Sequence, residues 1–391
     1  MSAPHCVIAG AGIAGLTAAL CLARRGIAVT VVEKRTGFGE LGAGLQIAPN
    51  SGRILDDLDL TLPLKRVAVS SRALTIRRWG SGGEIVAMPV EPEPGQPPYR
   101  LLKRNDLHTV LLDAVRSMPN IRLLVGRGVQ ETVQDEQGVT VTLDGRSGET
   151  LSGIALIGAD GGRSRIREVL GDEHPPSFTG YEAWRTVLPA TGKEAPGVTL
   201  HLGSGRHAVH YPVAAGREIN LVIIRQAQEA REGWSREGDP AILREHVAKA
   251  SPALRALAAS APSWLVWSLF DRSPAAMAQG RVALIGDAAH PVLPFLAQGA
   301  SLAIEDAAVL ARHLAAALGS AGNAGVPMAL AAFAEARAAR AARVQDESRR
   351  NGRTYHLGMP LSLGRDLVLR RLGARGMRER YRWLYDWRDA G

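Results

Sequence analysis

The sequence predicts an α/β protein. In this reading a parallel sheet is assembled from three separated stretches, a β-sheet-rich unit is inserted between them, and a helical segment ends the chain. Three observations predict it. Residues 6–32 read as strand, glycine turn, helix, strand. Two later apolar segments each end in a glycine–aspartate turn, around Asp160 and Asp287. Between them lie short β-patterned runs, and the last third of the chain is helical in pattern.

Taken in order, Cys6–Ala9 is a short apolar strand, and Leu16–Arg25 carries apolar residues at helical spacing. Ala28–Val32 is continuous and β-branched. Two wholly apolar strands joined by a helix imply a parallel sheet covered on both faces. From Val67 to Pro98 the pattern turns to short strands with Gly and Pro punctuation. Asn105–Ser117 is a helix, and Ile121–Val125, Val129–Val133 and Val139–Leu143 are short strands. Thr199–Leu202, His207–Tyr211 and Ile219–Arg225 form an antiparallel meander. Helix then dominates from Ser301 to about Asn351, interrupted by the linker-like Gly319–Pro327. The first unit therefore comprises residues 1–70, 100–178 and 271–345. The second comprises 71–99 and 179–270, and 346–391 is a C-terminal helical segment.

With 391 residues and 46% hydrophobic content, the chain can bury two or three domains' worth of core. Cys6 and Cys21 are the only cysteines and suit buried apolar positions better than a disulfide or metal framework. The apolar run at Cys6 meets glycines at once, so neither a signal peptide nor a membrane span is expected, and the expected compartment is the cytoplasm. The formal charge of +9 comes mainly from scattered arginines, with only five lysines and no long block of one sign. Nucleic-acid binding is not expected. A positive field would instead draw anions such as a pyridine nucleotide or a carboxylated substrate.

The first chemical motif is Gly10-Ala11-Gly12-Ile13-Ala14-Gly15, set between a strand and a helix. Gly10 permits the turn, Gly12 lets backbone approach a pyrophosphate, and Gly15 lets helix and strand pack closely. The helix N-terminus offers N–H dipoles to phosphate. Glu33, followed by Lys34, ends the second strand where a carboxylate can accept from a ribose hydroxyl. A dinucleotide is expected here, and the motif alone does not choose between NAD and FAD.

The second motif is Gly158-Ala159-Asp160-Gly161-Gly162-Arg163-Ser164-Arg165-Ile166-Arg167, after the apolar Ile154–Ile157. The third runs from Gly280 through Gly286-Asp287-Ala288-Ala289-His290-Pro291. In order and spacing the three together resemble the class A flavoprotein monooxygenases of the para-hydroxybenzoate hydroxylase fold, over nearly the whole chain. The resemblance implies a Rossmann-like FAD-binding domain, an inserted β-rich substrate domain, and hydroxylation of a small aromatic. NADH or NADPH, with NADH favoured, would be the transient donor and O2 the co-substrate, through a flavin C4a-hydroperoxide. It implies FAD contacts at Ala14, Val129, Gly286 and Asp287, the last to a ribityl hydroxyl. Arg104 would reach the FAD phosphates, and Asp160 would lie beside the cofactor.

The loop Pro291–Ser301 would run along the isoalloxazine, with Pro294 and Gln298 bordering the reaction site and the N–H groups of Gly299 and Ala300 facing negative charge on the reduced ring. The segments Gly42–Asn50, Tyr181–Arg185, Val209–Pro212 and Tyr381–Trp387 are similar to salicylate- and 3-hydroxybenzoate-hydroxylase-like members. They suggest Gln46, His210 and Tyr211 as substrate contacts. The 6-hydroxynicotinate hydroxylases carry histidine where this chain has Gln46, which argues against that activity. His210 is the candidate base for a substrate phenol; its alternative is a strand histidine satisfied by its neighbours. Trp184 and Arg185 read as core and scaffold, the terminal aromatics as helix packing or a subunit contact, and a homodimer is left open.

Competing readings remain. A nicotinamide-dependent dehydrogenase would use only the first motif. A flavin halogenase would need a WxWxIP segment, which Trp264-Leu265-Val266-Trp267 does not supply. A same-fold enzyme acting on a larger phenol or an N-heteroaromatic, or a non-catalytic FAD-binding protein, would share all three motifs.

Overall fold

A computed structural model describes residues 4–38, 44–145, 148–172, 174–230 and 236–389. The chain begins with β1 (His5–Ala9), α1 (Ile13–Ala23), β2 (Ala28–Glu33) and β3 (Gly44–Ile47). It continues through α2 (Pro49–Asp57), α3 (Thr61–Val67), β4 (Val69–Ser70), β5 (Ala73–Arg78) and β6 (Glu84–Pro89). Next come β7 (Arg100–Lys103), α4 (Arg104–Ser117), β8 (Ile121–Val125), β9 (Val129–Gln134), β10 (Val139–Leu143), β11 (Thr150–Gly153), β12 (Ala155–Gly158) and α5 (Arg165–Val169). The long β13 (Ser177–Pro189) is followed by β14 (Gly197–Gly203), β15 (Arg206–Val213), β16 (Glu218–Gln226) and β17 (Arg236–Glu237). Then follow α6 (Pro240–Val247), α7 (Pro252–Ala259), β18 (Leu265–Asp271), β19 (Ala278–Gln279) and β20 (Val282–Leu284). The chain finishes with α8 (Gly299–Ser320), α9 (Val326–Tyr355) and α10 (Leu361–Tyr385).

Six strands form the sheet β19-β20-β12-β1-β2-β8, parallel from β20 to β8. Its strands are apolar because both faces are covered: Cys6, Val7 and Ile8 are completely buried. Every residue of α1 is buried between this sheet and α8. The helix is therefore apolar all round rather than along one stripe. It starts at Ile13, three residues earlier than its periodicity suggested, because Gly12 ends the extended turn there. Cys6 and Cys21 are free and buried, and burial pushes both thiols up to about 12, so neither is a nucleophile at neutral pH.

The second large sheet runs β17-β18-β13-β16-β15-β14-β5-β6. The expected meander is β14, β15 and β16, antiparallel throughout, while β5 joins β14 in parallel from far earlier in the chain. One face of this sheet carries α6 and α7 over Trp184, Ala208, Leu221 and Ile223. The opposite face packs Ala183, Val222 and Ile224 against Leu293 and Phe295 of the first unit. The seam between this face and the loop is the candidate cleft. Strand Ile121–Val125 belongs to the parallel sheet, whereas β9 and β10 pair with β11, a strand the sequence reading missed, in a separate antiparallel sheet.

The expected linker Gly319–Pro327 shrinks to a single 3-10 turn, Gly322–Gly325. Pro327 sits in the first turn of α9, where its missing N–H costs nothing. Helix α9 runs unbroken through residues 345 and 346, so the division expected there falls inside one helix. The terminal aromatics are helix packing: Tyr381 and Leu384 are buried. Arg337 and Arg340 lie 5.0 and 4.8 Å from the Trp387 ring.

A buried polar network fastens α8 to α9. Glu305 and Asp306 are both completely buried. Glu305 accepts from Arg337 at 2.7 Å, Arg340 at 2.6 Å and Asn50 at 2.6 Å. Asp306 accepts from Arg337 Nε at 2.8 Å, His290 Nε2 at 2.6 Å and the Gly286 N–H at 2.9 Å. Burial opposes both charges of the His290–Asp306 pair. Their mutual attraction outweighs it, so the histidine rises above its usual range and the aspartate, aided by Arg337, falls well below its own.

Two outcomes follow. Asp306→Ala removes the carboxylate partner of buried His290 and one of the two carboxylates bound to buried Arg337, and should cost roughly 3–5 kcal/mol in urea-unfolding free energy. A loss under about 1 kcal/mol would show that the network does not hold the helices. The Asp306 contribution is present above the ordinary carboxylate range and fades as acid protonates it. The His290 contribution is present below the ordinary histidine range and fades as pH rises through the folded value. Stability measured against pH should therefore fall on the acid side less steeply in the Asp306 variant than in the wild type.

Candidate active site

The three glycine turns meet at the carboxyl ends of three adjacent parallel strands, β1, β12 and β20. The N–H of Ala159 donates to Ala9 O at 2.8 Å, and that of Ile285 to Gly158 O at 3.0 Å. Gly10 has φ +106°, and a Cβ there would lie 2.5 Å from Ala159 O. Gly15 crosses so close to Gly10 that a Cβ would sit 1.9 Å from its carbonyl oxygen. At Gly286, φ +60°, a Cβ would lie 3.2 Å from the Ala14 Cβ. Gly12 differs: nothing lies within 4 Å of its missing Cβ, which is the open backbone a pyrophosphate needs. The residues present thus fit a dinucleotide lying across all three turns.

Arg167, which the motif contains but the sequence reading gave no role, ties two of these turns together. Wholly buried, it donates to Asp172, to the carbonyls of Ser273 and Ala289, and to Ala288 O at 3.4 Å. The signal available was an arginine at fixed spacing after Asp160. Asp160 itself caps α5, accepting from the N–H groups of Arg165 at 2.8 Å and Ile166 at 3.3 Å. It therefore stands beside the first turn with one carboxylate oxygen committed to its own chain.

At the far end, Glu33 Oε2 accepts from the Ala11 N–H at 2.9 Å and Oε1 from the Arg35 N–H at 2.9 Å. Both oxygens keep lone pairs for a hydroxyl. Lys34 is exposed beside it, and Val129 lies half-buried at the start of β9. Arg104 is exposed as the first residue of α4, with no ion-pair partner among the described residues. His108, one turn further along, hydrogen-bonds Ala11 O at 2.7 Å and so docks α4 on the glycine turn.

Asp287 is exposed in a 3-10 turn whose position is set from below by the Asp306 bond to Gly286. The following loop is stapled from one face of α9. Gln345 donates to Pro291 O at 2.7 Å, Ser348 to Leu293 O at 2.6 Å and Asn351 to Phe295 O at 3.4 Å. Pro294 stays half-exposed between two anchored neighbours. Ala297 takes φ +53°, a left-handed conformation that costs a non-glycine residue about 1 kcal/mol or more. It turns the chain into α8, leaving Gly299 and Ala300, both half-exposed, in its first turn, where backbone N–H groups lack helical partners. The Gln298 side chain is completely buried at the start of α8: its oxygen accepts from Asn50 at 3.1 Å, and its amide nitrogen has no hydrogen-bond partner among the described residues.

Strand parity corrects His210. His210 lies opposite Leu221, whose side chain is in the core under α6 and α7, and its neighbour Ala208 is in that core too. The side chain therefore points away from the cleft, 3.3 Å from His201 Nε2. Burial, then the charge of Arg77, lowers His210 to about 4, too weak a base for a phenol at neutral pH. The histidine on the cleft face is His207, buried against Phe295 and hydrogen-bonded to His356 at 2.8 Å. The sequence offered two histidines in one strand, and only the register separates them.

Tyr211 does face the cleft. It is buried, and burial raises its hydroxyl well above the ordinary range. Gln46 contacts the Tyr211 hydroxyl and accepts from Tyr99 at 2.7 Å. Asn220, beside Tyr211 in the sheet, accepts the Gly44 N–H at 2.7 Å, which moors β3. Gly42 and Ala43 of the same segment lie outside the described residues.

His210→Ala should leave kcat/KM within about threefold of wild type, since the side chain never meets a reactant; a hundredfold loss would restore it to the reaction site. Asp287→Ala should weaken FAD by roughly 10- to 100-fold in an equilibrium titration, the worth of one charge-assisted hydrogen bond. Undiminished FAD affinity would remove Asp287 from the cofactor site.

The FAD binding domain family model matches residues 4–348. The 3-hydroxybenzoate 6-hydroxylase of Klebsiella oxytoca is 34% identical, covering 98% of this chain and 96% of that one. A 3-amino-4-hydroxybenzoate 2-monooxygenase of Streptomyces platensis is 35% identical over 99% and 97%. The structure of a salicylate hydroxylase substrate complex superposes with a TM-score of 0.84 at 24% identity, covering 99% of this chain and 96% of the other, which shows a shared fold. With its three turns converging as a flavin requires and family similarity along its whole length, this chain belongs to the class A FAD-dependent aromatic monooxygenases.

Proposed function

We propose that the protein hydroxylates a hydroxybenzoate-class aromatic, using NADH in preference to NADPH and incorporating one atom of O2. One observation carries the reading. The face of the eight-stranded sheet bearing Tyr211, Val209 and Val222 lies against the loop of Leu293 and Phe295, directly after the Asp287 turn. A guest held between them sits beside whatever ring the turns cradle. Bound there, FAD would supply hydride acceptance from the nicotinamide and delivery of one oxygen atom to the guest.

The chain's own groups do the positioning. Gly299 and Ala300 present backbone N–H groups and the positive end of α8 to negative charge. Leu293, Phe295, Val222 and Ile224 form an apolar wall that keeps water from a reactive centre. No histidine of ordinary basicity faces the guest, since His207 is held well below its usual range by burial and by His356. The Tyr211–Gln46–Tyr99 chain is the polar group that can hold a substrate hydroxyl and its proton. Curated relatives named for hydroxybenzoate substrates support the same class.

The test is a panel of 3-hydroxybenzoate, salicylate, 3-amino-4-hydroxybenzoate, hydroxypyridines and larger phenols, with NADH oxidation and hydroxylated product both measured. The expected result is stimulated oxidation matched by product for at least one hydroxybenzoate. Oxidation without product across the panel, or no stimulation at all, would overturn the proposal. Tyr211→Phe should then lower kcat about tenfold or more with smaller change in KM.

A further inference from the structure

Arg185 stands out among the cations of the sheet: it is half-buried, with its Nε out of solvent. It lies on β13 directly across from Val222, which in turn lies across from Val209, so the three share the cleft face of the sheet. Trp267 lies opposite Ala183 on that same face, and the Arg185 guanidinium stacks 3.7 Å from its ring centroid. The plane and direction of the cation are thereby fixed.

What it lacks is an anion. Its Nε is buried without a hydrogen-bond partner, and no carboxylate pairs with it among the described residues. The charged and titratable groups around it are Tyr211 from β15 and Arg104 from α4, the second of the same sign. Burial, with Arg104 adding to it, lowers its pKa to about 9. Arg225, on the opposite face of the sheet, shows the ordinary solution: it is bound to Glu182 at 2.6 Å. Arg167 and Arg337 are likewise paired. A partly desolvated guanidinium without a counter-charge is costly. A fork of donors held flat on an indole, beside a tyrosine that faces the guest, is the geometry that receives a carboxylate.

We propose that Arg185 is the specificity-determining residue of the cleft, binding the carboxylate of the aromatic guest with Trp267 as its platform. This rests on the hydroxybenzoate reading above and names the group that selects within it. Arg185 and Arg104 then divide the anions between them: the guest's carboxylate at the sheet, the cofactor's phosphates at the start of α4. The preference for acids over neutral phenols is set by filling a vacant counter-charge. Neutral guests of the same shape leave it vacant and bind weakly.

The experiment titrates FAD-loaded protein with 3-hydroxybenzoate and, separately, with its uncharged counterpart 3-hydroxybenzamide, following the visible flavin spectrum. Wild type, Arg185→Gln and Arg185→Lys are compared. In Arg185→Gln the dissociation constant for the acid should rise about 30-fold or more, while that for the amide stays within about threefold. Arg185→Lys should recover part of the acid's affinity, which shows that charge and not folding was lost. Equal weakening of both ligands, or no weakening of either, overturns the proposal. Loss of FAD retention in Arg185→Gln would assign the guanidinium to the cofactor and overturns it too. A wild type that binds no hydroxybenzoate of the panel also defeats it. Product formation by wild type with unchanged selectivity in Arg185→Gln would sink this inference alone and leave the proposed reaction standing.

Discussion

The adjacent carboxylates Glu305 and Asp306 hold the rest of the site in place. Two consecutive acids with no exposure survive only because four donors from α9, the Asn50 amide, His290 and a backbone N–H surround them. Such a network is worth little as net stabilisation against an apolar core, but it tolerates only one arrangement of its members. It fixes the angle at which α8 leaves the Asp287 turn, and it fixes α9 relative to α8. From α9, three side chains at a spacing of three residues, Gln345, Ser348 and Asn351, then hold the loop of Pro294. Position is passed from a buried ion cluster to an exposed loop through hydrogen bonds to backbone carbonyls. The loop can thus be irregular, with Ala297 in a left-handed conformation, and still be anchored at three of its carbonyls.

The substrate side is governed by a different constraint, the two-residue period of a strand. In His207-Ala208-Val209-His210-Tyr211 alternate residues point to opposite faces. His207, Val209 and Tyr211 meet the cleft, and Ala208 and His210 meet the layer under α6 and α7. A shift of one residue would exchange these sets. The same alternation separates Trp184, packed with Trp264 in the outer layer, from Arg185, which stacks on Trp267 in the cleft. Adjacent residues that read alike as scaffold in the sequence thus lie on opposite faces of the sheet.

The positive charge acquires a local meaning. Part of the arginine content is structural: Arg167, Arg281, Arg337 and Arg365 are buried and donate to carbonyls or carboxylates. These make no basic surface stripe of the kind a nucleic acid would need. Arg104 and Arg185 differ from these in having no ion-pair partner among the described residues.

The sequence by itself determined the cofactor half of the protein. Gly10, Gly12 and Gly15 between a strand and a helix, and the glycine–aspartate turns at Asp160 and Asp287, are demands of backbone geometry. They are local in the chain, so the residues that meet them can be read in order. The tertiary structure alone decided the surroundings of Gln298, His210, His207 and Arg185. Each depends on which face of a strand or end of a helix looks into the cleft, and on partners as distant as Asn50 or Trp267. Pairing register and burial are properties of the assembled sheet and not of any one segment. No local pattern could have told the histidine beside the cleft from the one three residues later.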